Sequence, residues 1–138
     1  MAGVKNIFDV VGRSMGAQMV RMNTIASNLA NLESKAGKAE DAYKPVRPVF
    51  ETVFSDNYNK DGIATVDALR VVSLDRPPEQ IYEPGHPEAD DNGIVYKSSV
   101  NSDEEMVEML ETSRQYQNNL EVLSTVRALM MRTINMGK

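Results

Sequence analysis

The sequence contains no cysteine and no tryptophan. The lack of cysteine excludes disulfides, thiolate metal ligands and cysteine nucleophiles. Aromatic residues make up only 6% of the chain, whereas 9 residues are methionine. Because methionine is unbranched and adaptable, such a chain suits either an ordinary core with filled gaps or an apolar surface that repacks against partners.

Long apolar runs and basic clusters are also missing. The N-terminal apolar patch is short, and Asp9 and Arg13 interrupt it. We therefore expect neither a cleavable secretion signal nor a direct membrane span. The formal net charge is -5, whereas sequence-independent binding to nucleic acid needs a basic patch that neutralises phosphates. We expect no nucleic-acid partner.

The length of 138 residues favours one domain. In the first quarter, apolar side chains recur with heptad spacing, which predicts one helix of about 28 residues. Such a helix is about 40 Å long and outgrows a small domain. We predict that its apolar stripe is an assembly interface, formed by Phe8, Val11, Met15, Met22, Ile25, Leu29 and Leu32.

A second long helix is predicted from Ser102 to the end of the chain. Ser102 and Glu105 have the spacing of a capping box, in which each side chain accepts from the other residue's amide. Two apolar stripes follow, about 120° apart around the helix. We expect one stripe to pack on the first helix and the other to meet another copy. The first comprises Met109, Tyr116, Leu120, Leu123, Met130 and Ile134, and the second Val122, Val126, Leu129 and Met136.

Between the helices the sequence predicts strands and loops. Residues 33–45 are a polar linker, and residues 46–54 form an edge strand because Pro48 cannot donate to a central ladder. Residues 63–74 form the best strand candidate, and 81–82 and 93–97 are shorter ones. The predicted fold class is mainly α, with long N- and C-terminal helices pairing as a coiled-coil-like bundle and a small loop-rich β insertion between them.

The predicted organisation is discontinuous. Residues 1–35 plus 101–138 form a helical assembly domain, and residues 36–100 form a linker and small β/loop middle segment. Within the first helix, Gly12 and Gly16 have a spacing that lets two helices approach closely. Because Arg13 and Gln18 exclude a lipid environment, we interpret this pair as a contact in a soluble bundle or a tolerated flexible point.

Two motifs offer a chemical alternative. Asn57 to Gly62 places oxygen ligands at alternate positions, as a calcium-binding loop does, but the acidic twelfth position is Ala68. A hairpin turn explains the same residues better. His86, the only histidine, lies among carboxylates that suggest a metal site or a general base. Without a second histidine, an exposed turn-rich loop is the better interpretation, so we predict no metal, no cofactor and no catalytic residues.

The segment ASNLAN, from Ala26 to Asn31, resembles a signature of bacterial flagellar rod and hook proteins. The tyrosine segment that follows in that family stands further downstream here, at Tyr43, which indicates a proximal rod member. Residues 82–93, 100–101, 104–109, 113–117 and 120–136 are similar to the same family. The resemblance adds Asn28 and Asn31 of the signature to the predicted interface.

The resemblance implies a non-enzymatic structural subunit of the basal-body proximal rod. Such a subunit is exported unfolded through the flagellar type III apparatus and polymerises in the periplasm. It then forms part of the drive shaft that transmits torque and surrounds the export channel. The implied partners are further copies, other proximal and distal rod proteins, the rod adaptor to the inner-membrane ring and the export apparatus.

Two other functions remain open on the sequence. A soluble coiled-coil adaptor or chaperone would use the same stripes to bind one helical partner. A polymer subunit needs at least two interfaces that do not close on each other, so the second stripe of the C-terminal helix favours the polymer. A small hydrolase or metal-dependent enzyme built around His86 is the weakest alternative.

Overall fold

The computed structural model describes residues 2–54 and 64–137. These residues form two long helices and five strands in two antiparallel sheets. One sheet has the strand order β1-β5-β4, and the other pairs β2 with β3. In chain order the elements are α1 (Ala2–Ala30), β1 (Lys35–Ala36), β2 (Val46–Phe54), β3 (Ala64–Ser73), β4 (Glu79–Tyr82), β5 (Ile94–Lys97) and α2 (Ser102–Met136).

The predicted mainly α fold class is wrong. The middle of the chain is not a small loop-rich insertion, because β2 and β3 form a ribbon of 9 and 10 residues. This ribbon packs along α1, which supplies the apolar support that an isolated two-stranded sheet lacks. The three-stranded sheet joins the segment after α1 to the segment before α2. The chain is therefore an α+β protein in which two terminal helices pair beside two sheets.

The individual elements follow the sequence more closely. Both long helices are confirmed, and β2 has the predicted bounds. The other strand predictions are confirmed to within a few residues. Register shifts between Val49 and Phe50, so the longer strand β3 accommodates one extra residue in a bulge. Within the described residues, no helix is long and apolar enough to cross a membrane.

Two local predictions are wrong. The N-cap of α2 is Asn101, whose side chain accepts from the amides of Asp103 and Glu104. Asn101 takes the place predicted for Ser102 because its carboxamide oxygen reaches two free amides of the first turn. Residues 33–45 are not a free linker, since β1 pairs with β5 and both Ala42 and Pro45 are buried.

Two further predicted motifs are the glycine pair of α1 and the calcium-like segment. A side chain added at Gly12 or Gly16 would meet nothing within 4 Å, so this pair makes no close helix contact inside the subunit. The calcium-like segment from Asn57 to Gly62 lies outside the described residues.

Candidate functional site

Asn28, in the last turns of α1, is fully buried and uses its whole hydrogen-bonding capacity inside the subunit. Its carboxamide pairs with β2 as a neighbouring strand would, accepting from the Val46 amide at 2.8 Å and donating to the Val46 carbonyl at 3.0 Å. It also accepts from the Tyr43 hydroxyl at 2.9 Å and donates to Glu105 at 3.1 Å. One side chain therefore connects α1, the loop before β2, β2 and α2.

Glu105 carries a carboxylate that is 1% exposed, in the first turns of α2. Arg47 on β2 donates to it at 2.6 Å. Burial of the Arg47 guanidinium lowers its pKa, but the hydrogen bond and charge of Glu105, together with the charges of Glu104 and Glu108, raise it overall. Because a buried carboxylate without a cation is costly, Arg47 holds β2 against the start of α2.

Glu104 forms the outer part of the same cluster. Arg76 makes a two-pronged contact with its carboxylate, at 2.7 and 3.0 Å. The hydrogen bond from Arg76 lowers the pKa of Glu104 below its ordinary value of 4.5; burial opposes this, and the charges of Arg76 and Arg47 support it. We call the set Asn28, Tyr43, Arg47, Arg76, Glu104 and Glu105 the polar junction.

Beyond the polar junction, polar side chains continue along the contact between the two antiparallel helices. Gln18 donates to Gln115 at 2.8 Å. One turn further along α1, Asn119 donates to the Ser14 hydroxyl at 3.0 Å. The residues of α2 that are buried are polar too, namely Glu105 and Thr112. The side of α2 that is covered within the subunit thus combines these polar groups with the half-buried Met109, Tyr116 and Leu123.

The exposed surface of α2 includes many large apolar side chains. Large apolar side chains are at least 40% exposed along its whole length. Near the N-terminus of α2, Val107 and Leu110 line a shallow groove with Arg114. The exposed apolar residues of α2 are Met106, Val107, Leu110, Leu120, Val122, Leu129, Met131, Ile134 and Met136.

The predicted interface residues divide by burial. Three of the α1 residues are buried inside the subunit, and three of the α2 residues are exposed. Buried are Val11, Ile25 and Asn28; half-buried are Phe8, Met15, Met22, Leu29, Asn31, Leu32, Met109, Tyr116, Leu123, Val126 and Met130; exposed are Leu120, Leu129 and Ile134. The structure brings the α1 stripe against the rest of the subunit. The role of all these residues in assembly stays a prediction.

Two groups were missed by the sequence analysis. Met106, Val107 and Leu110 belong to neither predicted stripe, although their apolar character beside an acidic first turn was a usable signal. Arg47 and Glu105 pair across 58 positions of sequence. No pattern within a short stretch of sequence predicts such a pair.

The His86 loop is held by local turns. The backbone amide of His86 donates to the Glu83 carbonyl at 3.0 Å, and the imidazole Nδ1 accepts from the Glu88 amide at 3.1 Å. Lys35 pairs with Glu83 at 2.7 Å and lowers the pKa of that carboxyl. Among residues 2–54 and 64–137, no group of three or more potential ligands is placed to hold a metal ion.

A helix that exposes many large apolar side chains is typical of proteins that act by binding other proteins. Residues 91–136 match the family described as flagellar basal body rod FlgEFG protein C-terminal. Flagellar basal-body rod protein FlgC of Salmonella typhimurium is 38% identical over 96% of this chain and 97% of its own length. FlgC of Yersinia enterocolitica is 34% identical over 96% of this chain and 97% of its own length. FlgC of Aquifex aeolicus is 34% identical over 100% of both chains.

The chain belongs to the flagellar basal-body rod protein FlgC family. This confirms the resemblance and the prediction of a structural protein that is not an enzyme. The adaptor or chaperone alternative is not supported, because the relatives are rod proteins along nearly their full length. The protein belongs to the flagellar basal body, where it assembles with other rod components.

Proposed function

We propose that this rod subunit polymerises through its terminal helices in the periplasmic, proximal part of the rod. In this role it forms part of the drive shaft that transmits torque and surrounds the export channel. Residues 1–35 plus 101–138 are the proposed assembly domain. The proposed partners are other copies, neighbouring proximal and distal rod proteins and the rod adaptor to the inner-membrane ring, with delivery by the type III export apparatus.

The observation that carries this proposal is the exposed apolar surface of α2. Its described buried residues, Glu105 and Thr112, are polar, whereas Leu120, Leu129 and Ile134 are exposed. Burying such side chains against a neighbour removes apolar surface from water, which stabilises an assembly by about 25 cal/mol for each Å² buried. Because exposed apolar residues occur on both halves of α2, one subunit has surface for more than one neighbour.

Replacing Leu120 with aspartate tests the proposal. Leu120 is 45% exposed, so the charge remains hydrated in the free subunit but is buried without a cation in a helix contact between subunits. We expect cells that depend on Leu120→Asp to lose swimming in soft agar, and basal bodies isolated from them to lack an intact rod. The purified variant should unfold at the same temperature as the parent.

Asn118→Asp is the matched control, since it places the same carboxylate on an exposed polar position of the same helix. We expect these cells, and His86→Ala cells, to swim. Normal swimming of Leu120→Asp cells with the variant present in their basal bodies would contradict the proposal.

A further inference from the structure

The two helices are joined by an ion pair between Arg21 and Glu108, at 3.6 Å, and by hydrogen-bonded polar pairs at three levels. Asn28 meets Glu105, Gln18 meets Gln115 and Ser14 meets Asn119. The spacing between the pairs is the same on α1 as on α2. The step from Asn28 to Gln18 has as many residues as the step from Glu105 to Gln115, and the step from Gln18 to Ser14 as many as that from Gln115 to Asn119. All three pairs therefore belong to one antiparallel register. We call them the polar rungs.

One atom of the middle rung lacks a hydrogen-bond partner in the described part of the chain. The Gln18 side-chain oxygen is buried and has no hydrogen-bond partner among the residues that the structure describes. A buried acceptor without a partner costs stability, and two apolar side chains of similar shape would avoid that cost. The rung therefore needs an explanation other than stability, and a single buried polar pair is a known means of fixing helix register.

Apolar packing alone does not select this helix pairing. Leu110, Leu120, Val122 and Leu129 are all exposed around α2, so several of its faces could bury apolar surface against α1. The polar rungs discriminate between these arrangements. Sliding α2 by one heptad would place Gln18 opposite Val122 and Ser14 opposite Val126, so buried amide and hydroxyl groups would lose their partners.

We propose that the polar rungs are the specificity determinants of the helix pair. They select which faces of α1 and α2 meet and at which level, and they thereby leave the apolar faces of α2 on the surface. The selection of helix faces and levels is a property of the isolated subunit and does not depend on the assembly role. Only the use of the freed apolar faces rests on the proposed function.

The chain has no cysteine, so two engineered cysteines can carry spin labels without background. Ala26→Cys on α1 and Asn118→Cys on α2 are exposed positions outside the rungs and at different levels of the pair. A slip of one heptad moves the α2 label by about 10 Å along the helix axis. Pulsed electron–electron double resonance on the full-length chain measures the distance between the two labels.

The test variant is Gln18→Met with Gln115→Met, which keeps side-chain length and removes the polar pair. We expect the labelled parent to show one narrow distance. The variant should gain a second distance whose population rises about tenfold, a factor that corresponds to about 1.4 kcal/mol. Its thermal midpoint should equal or exceed that of the parent, because the unpartnered acceptor is gone.

The control is Asn23→Leu with Gln117→Leu, which adds apolar side chains at exposed positions away from the contact between α1 and α2. It should keep the single distance of the parent. One unchanged distance in the methionine variant would overturn the proposal, and so would a lower midpoint with one distance, since the rungs would then only stabilise. If the double variant does not fold, Gln18→Met alone gives the same two readings.

These outcomes are independent of rod assembly. A second distance in the purified methionine variant supports the specificity role whether or not Leu120→Asp cells swim. Conversely, normal swimming of Leu120→Asp cells would reject the assembly surface and leave the register result untouched.

Discussion

In its first turns, one face of α2 carries charged side chains that are paired with the rest of the subunit, whereas its last turns expose apolar side chains to solvent. In the first region, Glu105 is 1% exposed and contacts both Asn28 and Arg47. In the second, Leu129 is 55% and Met136 is 87% exposed. In the described part of the chain, the first turns thus have a buried, paired face beside the exposed Met106, Val107 and Leu110, and the last turns contain no fully buried residue.

The difference separates, along one element, buried polar contacts within the subunit from exposed apolar surface. Substitutions in the polar junction should act on the stability of the free subunit. Substitutions in the distal turns should leave that stability unchanged. The following predictions test this division, and they run from the largest expected change in the free energy of unfolding to the smallest.

Arg47→Ala should have the largest effect. It leaves the buried Glu105 carboxylate without its cation, and removing one partner of a buried ion pair costs about 3–5 kcal/mol. Chemical denaturation of the purified chain measures the loss. Two controls define the comparison: Arg76→Ala, whose partner Glu104 is 37% exposed, should cost less than about 1 kcal/mol, and Leu129→Asp in the distal turns less than about 0.5 kcal/mol. A loss of similar size for Leu129→Asp would remove the distinction between the two regions.

Asn28→Ala should follow. It removes the acceptor of the Val46 amide, one of two side-chain donors to the Val46 carbonyl and one donor to Glu105, which together cost about 2–3 kcal/mol. Asn31→Ala is the matched control from the same signature, because the Asn31 side chain donates only to the nearby Ser27 carbonyl at 2.8 Å. Its loss should stay near 1 kcal/mol or less. Equal destabilisation by the two alanines would show that Asn28 is not the centre of the junction.

Acid should weaken the junction by the smallest amount. The pKa of Glu104 is lowered in the folded chain by its hydrogen bond from Arg76. A lowered carboxyl pKa contributes stability that is complete above the unfolded value of 4.5 and is lost as the pH falls through the folded value. We expect the free energy of unfolding to fall below pH 4.5, and Glu104→Gln to reduce that slope.

The distal turns cannot contribute to this acid response, because the sequence after Glu121 contains no Asp or Glu. Hydrogen exchange at acid pH should therefore rise first at the start of α2. An identical pH slope for Glu104→Gln and the parent would count against the ion pair as the source of the effect.

The elements that the sequence predicted well are those with a local signal. Heptad spacing located α1, alternation located β2, and the capping-box spacing of Ser102 and Glu105 located the start of α2, although the N-cap is Asn101. The fold class was missed because it depends on length and partners: β2 and β3 join into one ribbon along α1, a contact between distant segments. β1 has 2 residues, too few for any periodicity.

The site divides in the same way. The exposed positions Leu120 and Leu129 came from stripe analysis, which reads periodicity on one helix. The buried Asn28 came from a resemblance, and only the structure shows that its contacts lie inside the subunit. Arg47 could not be foreseen, because a charged residue on a predicted edge strand is usually solvated.

The contact between Asn28 and Glu105 also has a consequence for the order of folding. It joins residues 77 positions apart, and closing so long a loop requires that both segments be free in solution at the same time. While either segment is held in an extended state the contact cannot form, so the alignment of the two helices is a late, non-local step of folding.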